Sequence, residues 1–112
     1  MLTHIDLFAG ILGFSFGFER CGIKTIAAVE NDQRCQELVR KRRPDILLLG
    51  DIRECGKHNL PYADIISGGF PCQPHSNAGE RLGSSDERDL WGEFVRVIRD
   101  LEPRWVVAEN VV

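Results

Sequence analysis

Leu2-Thr3-His4-Ile5-Asp6-Leu7-Phe8-Ala9-Gly10-Ile11-Leu12-Gly13 is the stretch on which the reading of the fold turns. Residues 2–8 read as a short buried strand, and Gly10 to Gly13 as a glycine-rich turn. Phe14–Cys21 follows as a short helix, with Gly22 placed for its left-handed C-terminal cap. Strand, turn and helix in direct succession begin an alternation that the rest of the chain continues.

Working outward, Lys24–Glu30 is a second strand, rich in Thr, Ile, Ala and Val. Asn31 or Asp32 caps a helix that runs to about Arg43, where Pro44 ends it. Ile46–Leu49 is a third strand, closed by Gly50-Asp51, and Asp64–Ser67 a fourth, closed by Gly68-Gly69. The segment 52–63 between them shows no clear helix. A long polar loop with Gly79 and Gly83 is expected next. Asp89–Leu101 has helical spacing in Leu90, Phe94, Val97, Ile98 and Leu101, and Trp105–Ala108 is a fifth strand. Continuous apolar strands alternating with helices argue for a parallel sheet covered on both faces, a Rossmann-like α/β domain.

The 112 residues amount to one domain, and at 43% hydrophobic and 28% charged the chain is not disordered. The longest aliphatic run, Ile46–Leu49, is far short of the roughly 18–20 residues of a helical membrane span. No basic segment precedes the first apolar stretch, which contains Asp6, so a signal peptide is not expected and a cytoplasmic setting is. A net charge of −3 leaves no global footprint for nucleic acid. The run Arg40-Lys41-Arg42-Arg43 reads as a solvated helix end favoured by the helix dipole. Cys21, Cys35, Cys55 and Cys72 are too widely spaced for a zinc site, and most are expected to be small core residues.

In such a sheet ligands bind beyond the carboxyl ends of the strands, and those ends carry the unusual residues. The first is followed by Phe8-Ala9-Gly10-Ile11-Leu12-Gly13, the second by Glu30-Asn31-Asp32, the third by Asp51, the fourth by Phe70-Pro71-Cys72-Gln73 and the fifth by Glu109-Asn110. Gly10 and Gly13 either only permit a tight turn or let a ligand approach the backbone, without the Gly-x-Gly-x-x-Gly spacing of dinucleotide folds. Glu30 is either a solvated carboxylate near a helix cap or an acceptor for ribose hydroxyls. Asp51 is either a turn residue or an acceptor for an adenine amino group. Cys72, between Pro71 and Gln73-Pro74, sits on a stiff backbone and reads as a nucleophile rather than an incidental loop thiol. Glu109 ends an apolar strand, where partial desolvation is expected to suit it to donate a proton. Arg81, Arg88 and Ser84-Ser85 lie on the same edge and are the better phosphate candidates.

Asp6-Leu7-Phe8-Ala9-Gly10, then Gly69-Phe70-Pro71-Cys72-Gln73-Pro74 with Ser76 and Ala78-Gly79, then Glu109-Asn110-Val111, resemble the signatures of the DNA (cytosine-5)-methyltransferases. The resemblance covers essentially the whole chain, 1–112, as a single partial catalytic domain. It implies strand order 3-2-1-4-5 and S-adenosyl-L-methionine as cofactor. Phe8, Ala9, Gly10, Ile11 and Gly13 would line its methionine and sugar, Glu30 with Asn31 the ribose, and Asp51 with Ile52 the adenine, with Leu90 or Trp91 closing over it. Cys72 would attack C6 of a cytosine flipped out of double-stranded DNA, and Glu109 would engage N3. Pro71 and Asn110 would shape the pocket, and Gln73, Ser76 and Arg88 would meet the DNA.

Leu12 and His75 depart from the resemblance. Leu12 stands where the family usually has glycine, a costly exchange if that position needs positive φ. The family's later arginine segment, target-recognition region and final pocket wall lie beyond residue 112. The resemblance therefore implies an incomplete enzyme; the alternatives are a cofactor-binding relic or one subunit of a split methyltransferase. A nicotinamide oxidoreductase fits the alternation but not Pro71-Cys72-Gln73. With that strand order Trp105–Ala108 becomes an unprotected apolar edge, expected to mediate homo-oligomerisation or pairing with a complementary C-terminal polypeptide.

Overall fold

A computed structural model describes residues 1–69 and 80–109, with the side chains of 80–89 excepted. Five parallel strands form one sheet in the order β3-β2-β1-β4-β5, as expected. They are β1 (Thr3–Leu7), β2 (Lys24–Val29), β3 (Leu47–Leu49), β4 (Ile65–Gly69) and β5 (Trp105–Glu109). Helices α1 (Gly13–Arg20), α2 (Gln33–Arg42) and α3 (Glu80–Leu101) connect them.

The local signals act where the residues place them. Gly22 has φ +83°, and its N–H donates to Glu19 O while that of Ile23 donates to Phe18 O, a Schellman end to α1. Asp32 caps α2 by accepting from the backbone N–H groups of Arg34 and Cys35 at 2.8 and 3.1 Å.

Two segments differ from expectation. Ile52–Glu54 forms a 3-10 turn where no helix was expected. Helix α3 begins at Glu80, nine residues before Asp89, so the expected polar loop is helical over that span. Glu, Arg and Leu dominate residues 80–90 and favour helix, and one internal Gly83 costs only about 1 kcal/mol.

The sheet has two unlike faces. Ile5, Leu7, Ala27, Val29 and Ile66 form the main core with Phe94, Val97 and Leu101 of α3. A Cβ on Gly68 would lie 2.5 Å from the Phe94 ring, so only glycine lets α3 sit this close to β4. The other face, under α1 and α2, holds a smaller cluster of Ala9, Leu12, Ala28, Val39 and Ile46 beside buried polar groups.

At the sheet edge β5 pairs only with β4 among the described residues. Trp105, Val106 and Val107 are 47, 44 and 36% exposed, so the expected apolar edge is present. Arg43 is more than a solvated helix end. Its guanidinium bonds Asp45 and Glu19 and reaches Thr25 O, tying α2 to α1 and β2. Arg40, Lys41 and Arg42 are exposed as expected. Of the described cysteines only Cys55 is buried; Cys21 is exposed and Cys35 half-buried, against the expectation of mostly core thiols.

Candidate cofactor site

The turn after β1 is built from left-handed backbone. Phe8, Gly10 and Leu12 have φ of +57°, +55° and +69°. The Ala9 N–H donates to Val29 O at 3.0 Å, hooking the turn onto β2, and the Leu12 N–H donates back to Ala9 O at 2.8 Å. Left-handed backbone costs a non-glycine residue roughly 1–2 kcal/mol. At Leu12 burial opposes that cost: the side chain is 5% exposed against Ala9, Ala28, Val39 and Ile46. Burial of a leucine contributes about 1.5–3 kcal/mol, enough to hold the strained conformation.

Glu30 is locked to this turn. One carboxylate oxygen accepts from the Gly10 N–H at 2.7 Å, the other from the Asp32 N–H at 2.7 Å. Each oxygen keeps a further lone pair, so a fixed carboxylate faces the cleft ready to accept from hydroxyl donors. Gln36 Nε2 donates to Glu30 O at 2.6 Å and steadies the same segment. Asp51 closes the far side, with Oδ1 accepting from the Arg53 N–H at 2.9 Å.

These groups surround a cleft of about 1080 Å³ at the carboxyl edge of β1, β2 and β3. Of the sequence candidates, Phe8, Gly10, Glu30, Asn31, Asp51, Ile52 and Leu90 line it. Ala9 is instead buried beneath the turn, Ile11 is 61% exposed, and Gly13 opens α1 as an exposed residue. Glu109 ends β5 exposed and outside this cleft. Its burial was expected, but none of the described residues covers the end of β5. Pro71, Cys72, Gln73, Ser76 and Asn110 lie outside the described residues, as do the side chains of Arg81, Ser84, Ser85 and Arg88.

The lining includes Gln33, Cys35 and Gln36, which the sequence reading missed. They face the cleft from the first turn of α2, a position that becomes visible only once the helix is docked. Among the described residues, four lining carboxylates, on Glu30, Asp32, Asp51 and Glu54, oppose one guanidinium, on Arg53. A wall of that charge favours a ligand rich in hydroxyls and cationic groups, and disfavours a pyrophosphate. S-adenosyl-L-methionine, with ribose hydroxyls, a sulfonium and an ammonium, fits this lining; a nicotinamide dinucleotide fits it poorly.

Sequence reasoning also passed over a buried polar chain beneath the turn. His4, Asp6, Ser15, Thr25 and Ser67 are all at most 1% exposed. His4 Nδ1 meets Thr25 Oγ1 at 2.8 Å and His4 Nε2 meets Ser67 Oγ at 2.6 Å. Ser67 Oγ donates to Asp6 Oδ1 at 3.3 Å, and Ser15 Oγ donates to Asp6 Oδ2 at 3.0 Å. The β1–β2 register slips between His4 and Ile5, which sets Thr25 opposite His4 and Ala27 opposite Ile5. Burial pushes the Asp6 carboxyl up to about 7 and the His4 imidazole down to about 4. The available signal was the period-two pair His4 and Asp6 alternating with Ile5 and Leu7.

The parallel order β3-β2-β1-β4-β5, with a glycine turn and the Glu30 carboxylate at its carboxyl edge, is that of a Rossmann-like methyltransferase fold. The C-5 cytosine-specific DNA methylase family matches residues 2–112, and the chain belongs to that family, whose cofactor is S-adenosyl-L-methionine. Type II methyltransferase M.FnuDI of Fusobacterium nucleatum is 41% identical over 108 residues, 96% of this chain and 31% of that protein. Type II methyltransferase M.NgoMIV of Neisseria gonorrhoeae is 36% identical over 110 residues, 97% of this chain and 35% of that one. Among solved structures, a prophage-encoded protein of E. coli described as a DNA modification methyltransferase superposes with TM-score 0.79 at 32% identity, covering 99% of this chain and 32% of its own. The chain thus spans about a third of the length of these relatives.

Proposed function

We propose that this chain supplies the cofactor site and the nucleophile of a DNA (cytosine-5)-methyltransferase whose target recognition resides in further polypeptide. The observation that carries the reading is Glu30, pinned by two backbone N–H groups at the rim of an acidic cleft. Glu30 and Asn31 would hold the ribose, Asp51 and Ile52 the adenine, and Phe8, Gly10 and Leu90 the remaining walls. When bound, S-adenosyl-L-methionine supplies an electrophilic methyl group.

Cys72 would add as thiolate to C6 of a cytosine flipped from double-stranded DNA, which makes C5 nucleophilic. Glu109, donating to N3, would stabilise the charge that develops as the thiolate adds. Once C5 carries the methyl group, loss of its proton to a base would expel the Cys72 sulfur, return the N3 proton to Glu109 and restore the aromatic ring. Pro71 and Asn110 would shape the pocket, and Gln73, Ser76 and Arg88 would bind the DNA.

Calorimetric titration with S-adenosylhomocysteine tests the cofactor half. Weak binding lost in Glu30→Ala supports the assignment; binding unaffected by that change removes it. DNA containing 5-fluorocytosine, offered with S-adenosyl-L-methionine and the remaining catalytic segments, tests the nucleophile, because after methylation the fluorine at C5 cannot leave as a cation and the thioether persists. Cys72→Ser is expected to abolish the adduct, and trapping by the serine variant would refute the role of Cys72.

The exposed apolar β5 supports a second proposal, association through Trp105, Val106 and Val107 with another copy or with a complementary C-terminal polypeptide. Sedimentation across a concentration series is expected to show self-association, and a monomer throughout would leave only the complementary polypeptide.

A further inference from the structure

Helix α1 starts without a cap of its own. Leu12 occupies the N-cap position in left-handed backbone and its side chain accepts no hydrogen bond. An N-cap oxygen ordinarily accepts from the second or third helical N–H. Here the third helical residue is Ser15: its hydroxyl donates to Asp6 Oδ2 at 3.0 Å, and its backbone N–H favours the ionised form of the same carboxylate. A carboxylate from the adjoining strand thus occupies the place of the missing cap.

We propose that Asp6 is a positioning residue for the cofactor turn: it fixes the start of α1 in place of Leu12, and through it the turn of residues 9–12, whose Gly10 lines the cleft. The proposal rests on the reading of that turn as a cofactor site. Asp6 does not line the cleft and acts only through Leu12, Gly10 and the Glu30 carboxylate that Gly10 holds.

The groups around Asp6 make its charge adjustable. Helix α1 presents Ser15, β4 presents Ser67, β1 presents His4 through Ser67, and the end of β2 presents the Glu30 carboxylate, whose charge disfavours ionisation. With Asp6 ionised, the hydrogen bonds run in one direction, from Thr25 to His4 to Ser67 to Asp6, and require the proton of His4 on Nε2. With Asp6 protonated and its hydrogen directed at Ser67, each bond reverses and the His4 proton moves to Nδ1. The ionised form is the better cap, since it adds charge to the bond with Ser15 and to the helix dipole.

The test follows S-adenosylhomocysteine affinity of the 112-residue chain between pH 6 and pH 8.5. The wild type is expected to bind roughly three- to tenfold more tightly at the higher pH, and Asp6→Asn to bind weakly with a flat profile. Ser15→Ala, which keeps the backbone N–H but loses the hydroxyl, should fall between them and serves if Asp6→Asn does not fold. A folded Asp6→Asn with wild-type affinity and pH profile would overturn the proposal. If the wild type binds no cofactor at any pH, the functional reading fails, and two other measurements decide this one. Hydrogen exchange at the Ser15 amide is expected to quicken at least tenfold in Asp6→Asn, and the nitrogen-15 spectrum of His4 is expected to change tautomer with pH in the wild type alone. Unchanged exchange, or a His4 tautomer that ignores pH, would refute it.

Discussion

Ile5 and Leu7 on one side of β1, and His4 and Asp6 on the other, share one backbone but are buried in unlike surroundings. Toward α3 the strand joins the apolar cluster of Phe94, Val97 and Leu101, and the interaction there is area removed from water. Toward α1 the same strand places an imidazole and a carboxyl in a chain of hydroxyls with no buried polar side-chain atom unsatisfied among the described residues. The apolar face contributes bulk stability that does not titrate. The polar face contributes a pH-dependent term and sits directly under the turn that faces the cleft.

The largest break of that contrast is Phe94→Ala. The ring is 1% exposed and packs over Gly68 of β4, so its removal leaves a cavity that backbone cannot fill. A loss of about 3–5 kcal/mol is expected, against a total of roughly 5–15 kcal/mol for a domain. Urea denaturation followed by circular dichroism measures it. The loss should be the same at pH 5 and pH 8, because the ring packs in the apolar cluster of Ile5, Leu7, Val97 and Leu101. A loss that changes with pH would show that the two faces are not independent.

The polar face should show the converse. Unfolded, Asp6 is ionised above about pH 4, whereas burial in the fold raises it to about 7. Its contribution is therefore present in acid and is lost as pH rises from about 4 through 7. Unfolded, His4 is protonated below about 6.5, whereas the fold holds it neutral down to about 4. Its contribution is present above 6.5 and is lost as pH falls toward 4. Between those limits folding moves one proton off His4 and one onto Asp6, and the two slopes cancel. Asp6→Asn should expose the His4 slope, with stability rising with pH by up to about 1.4 kcal/mol per unit. His4→Gln should expose the opposite slope. Denaturation midpoints at pH 4.5, 5.5 and 6.5 measure both; parallel profiles in the two variants would mean that the pair does not titrate as a unit.

What the sequence disclosed divides along the same line. Alternating strands and helices are periodic and local, so β1 to β5, the Gly22 cap and the Asp32 cap were legible. Strand order came through family resemblance, which also singled out Glu30 and Asp51, and the cleft brings these two together with Phe8, Gly10, Ile52 and Leu90. The polar chain was not legible because Thr25, Ser15 and Ser67 become neighbours of His4 and Asp6 only when three strands and a helix assemble. The start of α3 is hidden in the sequence because Gly79 and Gly83 signal a loop, while Glu80, Arg81, Leu82, Glu87 and Arg88 carry the helix preference. Glu109 was expected to be desolvated from the apolar strand before it. Burial needs a covering element, and none of the described residues covers β5.

The smallest effect concerns Leu12, where the two kinds of burial meet. Its side chain belongs to the apolar cluster with Val39 and Ile46, while its backbone starts the helix that Asp6 caps. Leu12→Ala keeps the left-handed strain and loses most of the buried area, a cost of about 2–5 kcal/mol. Leu12→Gly loses slightly more area but sheds roughly 1–2 kcal/mol of strain, offset by about 0.5–1 kcal/mol of extra unfolded-chain entropy. The glycine variant should therefore be the more stable of the two by up to about 1 kcal/mol. That order reverses what the same pair gives at an unstrained helical position such as Arg40, where alanine is better by about 1 kcal/mol. Paired thermal melts at the two positions read the reversal directly. If alanine is the better residue at both, position 12 does not hold a positive φ in solution, and Asp6 caps a helix that starts elsewhere.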